Sequence, residues 1–117
     1  MKIILIFVVA ISLSISQALA DDKLTCSLFH AILYKDQVRK LENDKQMHCS
    51  MSCLIARKCE KTEVVAIGFI KEFVDALGFG TPDSQDIRAN LKGIKYADRA
   101  LTERKCYSYC KITYPKK

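Results

Sequence analysis

Tryptophan is absent, proline occurs twice and glycine four times in the 117 residues. The chain shows no internal repeat, no low-complexity tract and no linker, which leaves no seam at which to divide it. Strand signals are scarce; "KITY" near the C-terminus is the only short alternating piece. Past residue 20 no run approaches the eighteen or so apolar residues that a membrane helix requires, "VVAIGFI" being the longest candidate. Several catalytic signatures are missing as well. No HExxH, no phosphate-cradling glycine loop and no Ser–His–Asp order is present. No CxxC stands at a helix start, which argues against a thiol oxidoreductase.

What the chain does have begins at its N-terminus. Lys2 precedes the apolar run "IILIFVVAISLSI", and "ALA" at 18–20 has the small-x-small form of a cleavage site. Residues 1–20 read as a cleaved export signal. No cysteine follows the cut, so a lipid-anchored lipoprotein is not indicated. Residues 21–117 then form one domain of 97 residues. Losing Lys2 lowers the formal net charge of +6 to about +5. That favours anionic partners but is too small and too scattered to indicate nucleic acid.

Between its few breaks the pattern is helical, and the expected fold is an all-α, disulfide-stapled bundle of four to five short helices. A first helix spans about 24–34, with Leu24, Leu28, Phe29 and Ile32 inward, and restarts at Asp36. A second runs from Gln46 to Lys58 with Met47, Met51, Leu54 and Ile55 inward. Thr62 caps a third, whose apolar face is Ala66, Ile70, Phe73, Val74 and Leu77 and whose stop is Gly78. After the loop "GFGTPDS", Asp83 or Ser84 caps a fourth through Ile87, Leu91 and Ile94. A fifth, capped by Thr102, carries the last two cysteines.

All six cysteines lie beyond residue 20. An even count in a small exported domain points to three bridges. Helical residues four apart share a face, so Cys49 and Cys53 project together, as do Cys106 and Cys110. Two such helices packed antiparallel suit a double staple, Cys49–Cys110 and Cys53–Cys106, leaving Cys26–Cys59 to pin the first helix. Zinc is the competing use. Structural zinc favours tighter ligand spacing, and His48 lies about 100° around the helix from Cys49. No metal ligand and no cofactor is therefore assigned.

His48 is left as the candidate functional residue. Lys71, Glu72 and Asp75 share a polar stripe of the third helix with Gly68. Asp86 and Asn90 lie one turn apart on the shoulder of the fourth helix, where Gly93 and Ala97 continue the stripe with small residues. Such a shoulder admits a close neighbour or lines a cleft. The segment "HCSMSCLIARKC", "AIGFIKEFVDALG", "DSQDIRANLKGI" resembles an uncharacterised helical domain of exported bacterial proteins, related to one at the C-terminal ends of some polymorphic toxins. The resemblance covers about residues 45–97. It implies a shared fold and a possible site at His48, Glu72 or Asp75, Asp86, Asn90 and Gly93, but no settled reaction. The chain departs from the toxin pattern in having Lys71–Glu72 where a second histidine stands. Secreted phospholipase A2 is set aside because its His–Asp dipeptide and calcium loop are missing.

If His48 meets the carboxylates, general base catalysis on water is the chemistry available. The basic, tyrosine-bearing tail offers a second surface, with Arg104, Lys105, Tyr107 and Tyr109, joined by Lys71, as binding candidates for an anionic glycan or envelope surface. The reading placed first is a non-catalytic binding protein: an inhibitor, an immunity-like protein or an envelope factor acting on another protein or an anionic surface. The alternative is a small hydrolase built on His48. A third is a carrier of a small apolar ligand, a role for which insect odorant-binding proteins use six helical cysteines in a different late spacing. His48 in hydrogen-bond reach of Asp86 or Glu72 within an open cleft favours the hydrolase, and an enclosed apolar cavity favours the carrier.

Overall fold

The computed structural model describes residues 2–20, 22–74 and 83–116, with side chains at 2–13, 26–68, 71 and 83–116. Six helices follow in order: α1 (Lys2–Ala20), α2 (Asp22–Val38), α3 (Asp44–Ala56), α4 (Lys61–Val74), α5 (Ser84–Ala97) and α6 (Glu103–Thr113). No strand occurs among the described residues, and "KITY" is helical through Thr113. The fold is the expected stapled all-α bundle. No helix among the described residues is long and apolar enough to cross a membrane.

Local chemistry fixes the helix starts. Asn43 in extended conformation accepts a hydrogen bond from the Gln46 amide (2.8 Å), so α3 begins two residues before the expected Gln46. Asp83 and Thr102 cap α5 and α6 in the same way, accepting from Gln85 and Lys105. α4 begins at Lys61, so Thr62 lies inside the helix and does not cap it. α2 runs unbroken through Asp36.

α3 is the central element, and three bonds tie it or its end to the rest. Cys49–Cys110 and Cys53–Cys106 link it to antiparallel α6, and Cys26–Cys59 links α2 to the turn after α3. The four staple cysteines are fully buried, with Tyr34, Val38, Leu54 and Ala100 packed around Cys53 and Cys106. Ile55, Val64 and Ile94 form a second cluster joining α3, α4 and α5. α3 and α5 run parallel, and a Cβ on Gly93 would overlap the backbone carbonyl of Cys49. Glycine is required there because the two backbones touch.

Two expected faces are rotated. On α2, Leu28, Phe29 and Ile32 are exposed, and Ser27, Tyr34 and Val38 are buried instead. Ser27 donates to the buried Glu63 of α4 (2.9 Å), and Tyr34 donates to Glu103 of α6 (2.8 Å). On α5, Leu91 is exposed, and the buried face is the small polar one: Asp86, Ala89, Asn90, Gly93 and Ile94. Close approach to α3 admits only small side chains there, and Leu91 is displaced outward. Ala66 of α4 is exposed as well, Glu63 and Val64 taking the inward positions. The side chains of Ile70, Phe73 and Val74, all of Leu77 and the stop at Gly78 lie outside the described residues.

Candidate functional site

The site arises where two parallel helices start side by side. The N-terminal turns of α3 and α5 both present unpaired amides and partial positive charge, which carboxylates offset. Asp44, Asp83 and Asp86 occupy those turns. Lys45 reaches across to all three, at 2.6 Å from Asp83, 3.3 Å from Asp44 and in close contact with Asp86.

His48 follows one turn along α3. Its Nε2 lies 3.3 Å from Asp86 Oδ2 and 3.5 Å from Asp44 Oδ1. Its Nδ1 lies 3.1 Å from Asn90 Oδ1, which also accepts from the hydroxyl of Ser52 (3.1 Å). A carbonyl oxygen can only accept, so Nδ1 carries a proton and donates. Nε2 is thereby aimed at the point where the two carboxylates converge. Asn90 is itself held in place: a Cβ on Gly68 of α4 would stand 2.6 Å from its Nδ2. The absence of a side chain at 68 makes room for the amide that orients the imidazole.

Burial and pairing set the charge states of the cluster. Burial raises the pKa of Asp86, against the opposing hydrogen bond from Lys45. Asp44 moves the other way. Its modest burial is outweighed by its hydrogen bond with Asp86 and by His48 and Lys45, and its pKa is lowered. Burial disfavours the Lys45 ammonium, but its hydrogen bonds to Asp83, Asp86 and Asp44 prevail and hold its pKa above the ordinary lysine value. Half-buried Asp83 is held low by the hydrogen bond from Lys45.

The imidazole opens into a cleft of about 370 Å³ between α2, α3 and α4. Ala31, Val38, Met47, Met51, Ile55, Val64 and Ile67 supply its apolar walls, and Asp44, His48, Ser52 and Asn90 supply a polar side. Its volume falls near the lower end of the roughly 300–1,000 Å³ that small-molecule sites occupy. Asp44, His48 and Asp86 also offer donor atoms within 4.8 Å of one another, a set that could hold a divalent cation, although the Lys45 ammonium already meets both carboxylates. Cys26 and Cys59 approach His30 in a second such grouping, but both sulfurs are bonded to each other.

Of the residues picked out from the sequence, His48, Asp86 and Asn90 meet. Gly93 lies beside them at the α3–α5 contact. Glu72 belongs to α4, its side chain outside the described residues, and Asp75 lies outside them altogether. Lys71 lines the cleft. Arg104 and Lys105 are exposed on α6, away from this site. The tail tyrosines are not free stacking platforms. Tyr109 lies against Tyr96 with ring centroids 5.3 Å apart, Arg99 covers both rings, and Tyr107 donates to Gln37 (3.2 Å). The staple draws α6 close enough that both rings pack onto the core.

Asp44, Lys45 and Ser52 are members that the sequence reading missed. Asp44, His48 and Ser52 recur every fourth residue and form one polar stripe of α3, and that periodicity was visible in the sequence. Fold and site together define a class: a disulfide-stapled helical bundle with a histidine–carboxylate centre on an open apolar cleft. No protein-family model, curated protein or solved structure matches the chain.

Proposed function

We propose that this protein is a small exported hydrolase in which His48 activates water for attack on an acyl carbon. The observation that carries the reading is the position of His48, anchored at Nδ1 by Asn90 and facing Asp86 and Asp44 at Nε2, inside an open cleft. A water at Nε2 loses a proton to that nitrogen as its oxygen bonds to the carbonyl carbon. The imidazolium so formed lies beside the Asp86 and Asp44 carboxylates. As the tetrahedral intermediate collapses, the proton passes from Nε2 to the leaving oxygen. Ser52 gives its hydrogen bond to Asn90, and its part is to position the amide. Export is supported by the leader-like N-terminus and by three disulfides with no free cysteine among the described residues.

The test is turnover of p-nitrophenyl esters from acetate to laurate. The expected result is hydrolysis that falls at least 100-fold in kcat/KM in His48→Ala and by a smaller factor in Asn90→Ala. Wild-type protein inert toward the whole series, or a His48→Ala variant as active as wild type, overturns the reading. The first of those outcomes would favour non-catalytic binding, a reading the cleft itself supports.

A further inference from the structure

The cleft has two ends of different chemistry. Ala31, Met51, Ile55 and Val64 pack together at one end. α2 and α4 both run antiparallel to α3, so their C-terminal halves meet the start of α3. Lys35 and Arg39 of α2 and Lys71 of α4 therefore line the cleft at the end where Asp44 and His48 stand. Lys35 and Arg39 are exposed, and neither side chain makes an ion pair among the described residues. Among the described lining residues the carboxylate at this end is Asp44, which is already met by Lys45 and His48. Among the described lining residues, Lys35 and Arg39 leave cationic charge at the rim of an apolar trough.

We infer that the cleft binds an amphiphile with one apolar chain and an anionic head, the chain along Met51, Ile55, Val64 and Ile67 and the head at Lys35 and Arg39. The charge at the rim complements a carboxylate or a phosphate, and the Arg39 guanidinium can engage either through two parallel hydrogen bonds. The volume suits a single chain. Met47 and Met51 are flexible enough to conform to an alkyl segment. The inference rests on the hydrolase reading only for its consequence: a bond near the head of such a ligand lies beside His48.

Calorimetric titration of the full chain with four twelve-carbon probes, each below its micelle threshold, tests it. Dodecanoate and dodecyl phosphate carry the anionic head and separate the carboxylate from the phosphate source. Dodecanol and dodecyltrimethylammonium are the neutral and cationic controls. At least one anionic probe is expected to bind 10-fold or more tightly than either control. That preference should vanish in the Lys35→Glu/Arg39→Glu variant, whose substitutions are on the surface. Ile67→Asp, on the cleft wall and outside the buried clusters, should weaken every probe. Equal binding of dodecanol, or unchanged affinity in the double charge variant, overturns the inference. Binding is read without turnover, so the two proposals fail separately. A chain that takes up dodecanoate but leaves the esters intact sinks the hydrolase reading alone. A chain that hydrolyses esters through His48 but ignores the charge reversal sinks this one alone.

Discussion

Two stripes one residue apart on α3 hold their neighbours by opposite means. Cys49 and Cys53 face α6 across two covalent bonds in a dry setting. His48 and Ser52, each one position earlier, face α5 across hydrogen bonds and a histidine–carboxylate contact. A small bundle buries a modest core, and covalent links supply the stability it lacks. With one stripe secured in that way, the other can carry groups that contribute little net stability, such as a partly buried charge cluster. The difference suggests that the staple holds the fold and the polar stripe is available for chemistry.

The largest effect expected from breaking this contrast comes from the staple. With no other bridge, closing a loop across the 61-residue separation of Cys49 and Cys110 is worth about 4 kcal/mol. Once the Cys53–Cys106 bridge exists, the second closes a ring of only about ten residues and adds roughly 2–3 kcal/mol. Replacing either pair by alanines should therefore cost roughly 2–3 kcal/mol in urea unfolding followed by circular dichroism. Replacing both should cost on the order of 7 kcal/mol, comparable to the whole stability of a small domain. The double loss should exceed the two single losses added together. Strict additivity would mean that the bridges act independently, contrary to the ladder geometry.

The two glycines at helix contacts, Gly93 and Gly68, sharpen the comparison at smaller magnitude. Gly93→Ala places a methyl against the backbone carbonyl of Cys49, which cannot yield without separating α5 from α3. A cost of about 1–3 kcal/mol is expected, in the range of overpacked cores. Gly68→Ala meets the end of the Asn90 side chain instead. Alanine gains helix propensity of up to about 1 kcal/mol, so net stability should change little. Because Asn90 orients His48, ester turnover should fall several-fold. If Gly68→Ala is as destabilising as Gly93→Ala and leaves turnover intact, the division between a structural and a chemical stripe is wrong.

The same physics explains what could be read from the sequence. The staple was legible because CxxxC spacing has one geometric meaning on a helix and because both instances had a partner. The stripe Asp86–Asn90–Gly93 was legible as a small polar shoulder suited to close approach. Its identity as the main buried face of α5 was not, because Leu91 offered a conventional apolar stripe and only the Gly93–Cys49 contact decides between them. α2 misled for the same reason. Leu28, Phe29 and Ile32 form an apolar stripe, yet burial follows Ser27, Tyr34 and Val38, whose polar members have partners on α4 and α6. Partners distant in sequence leave no periodic trace. Lys45 was missed on similar grounds, since its three carboxylates come from two helix starts about forty residues apart.

The smallest effect lies at alkaline pH, where both sides of α3 contribute. Burial and the hydrogen bond to Glu103 push the Tyr34 hydroxyl up to about 12 on the stapled side. In the unfolded chain a tyrosine loses its proton near pH 10. Between these values the folded chain binds more protons than the unfolded one, so stability falls as pH rises. Burial raises Tyr107 and Tyr114 as well, with the same sign. On the site side the raised pKa of Lys45 gives stability that is complete below its ordinary value near 10.4 and lost as pH climbs past it. The urea midpoint of wild type should therefore drop between pH 9.5 and 11.5. Tyr34→Phe should remove up to about 2 kcal/mol of that dependence, by the ~1.4 kcal/mol per pKa unit of linkage. Lys45→Met should lower stability at pH 8 while flattening the remainder by a smaller amount, because its partners are partly solvated. A Tyr34→Phe profile parallel to that of wild type would show that the buried hydroxyl does not carry the alkaline limb. The limb would then belong to Lys45 and the polar stripe.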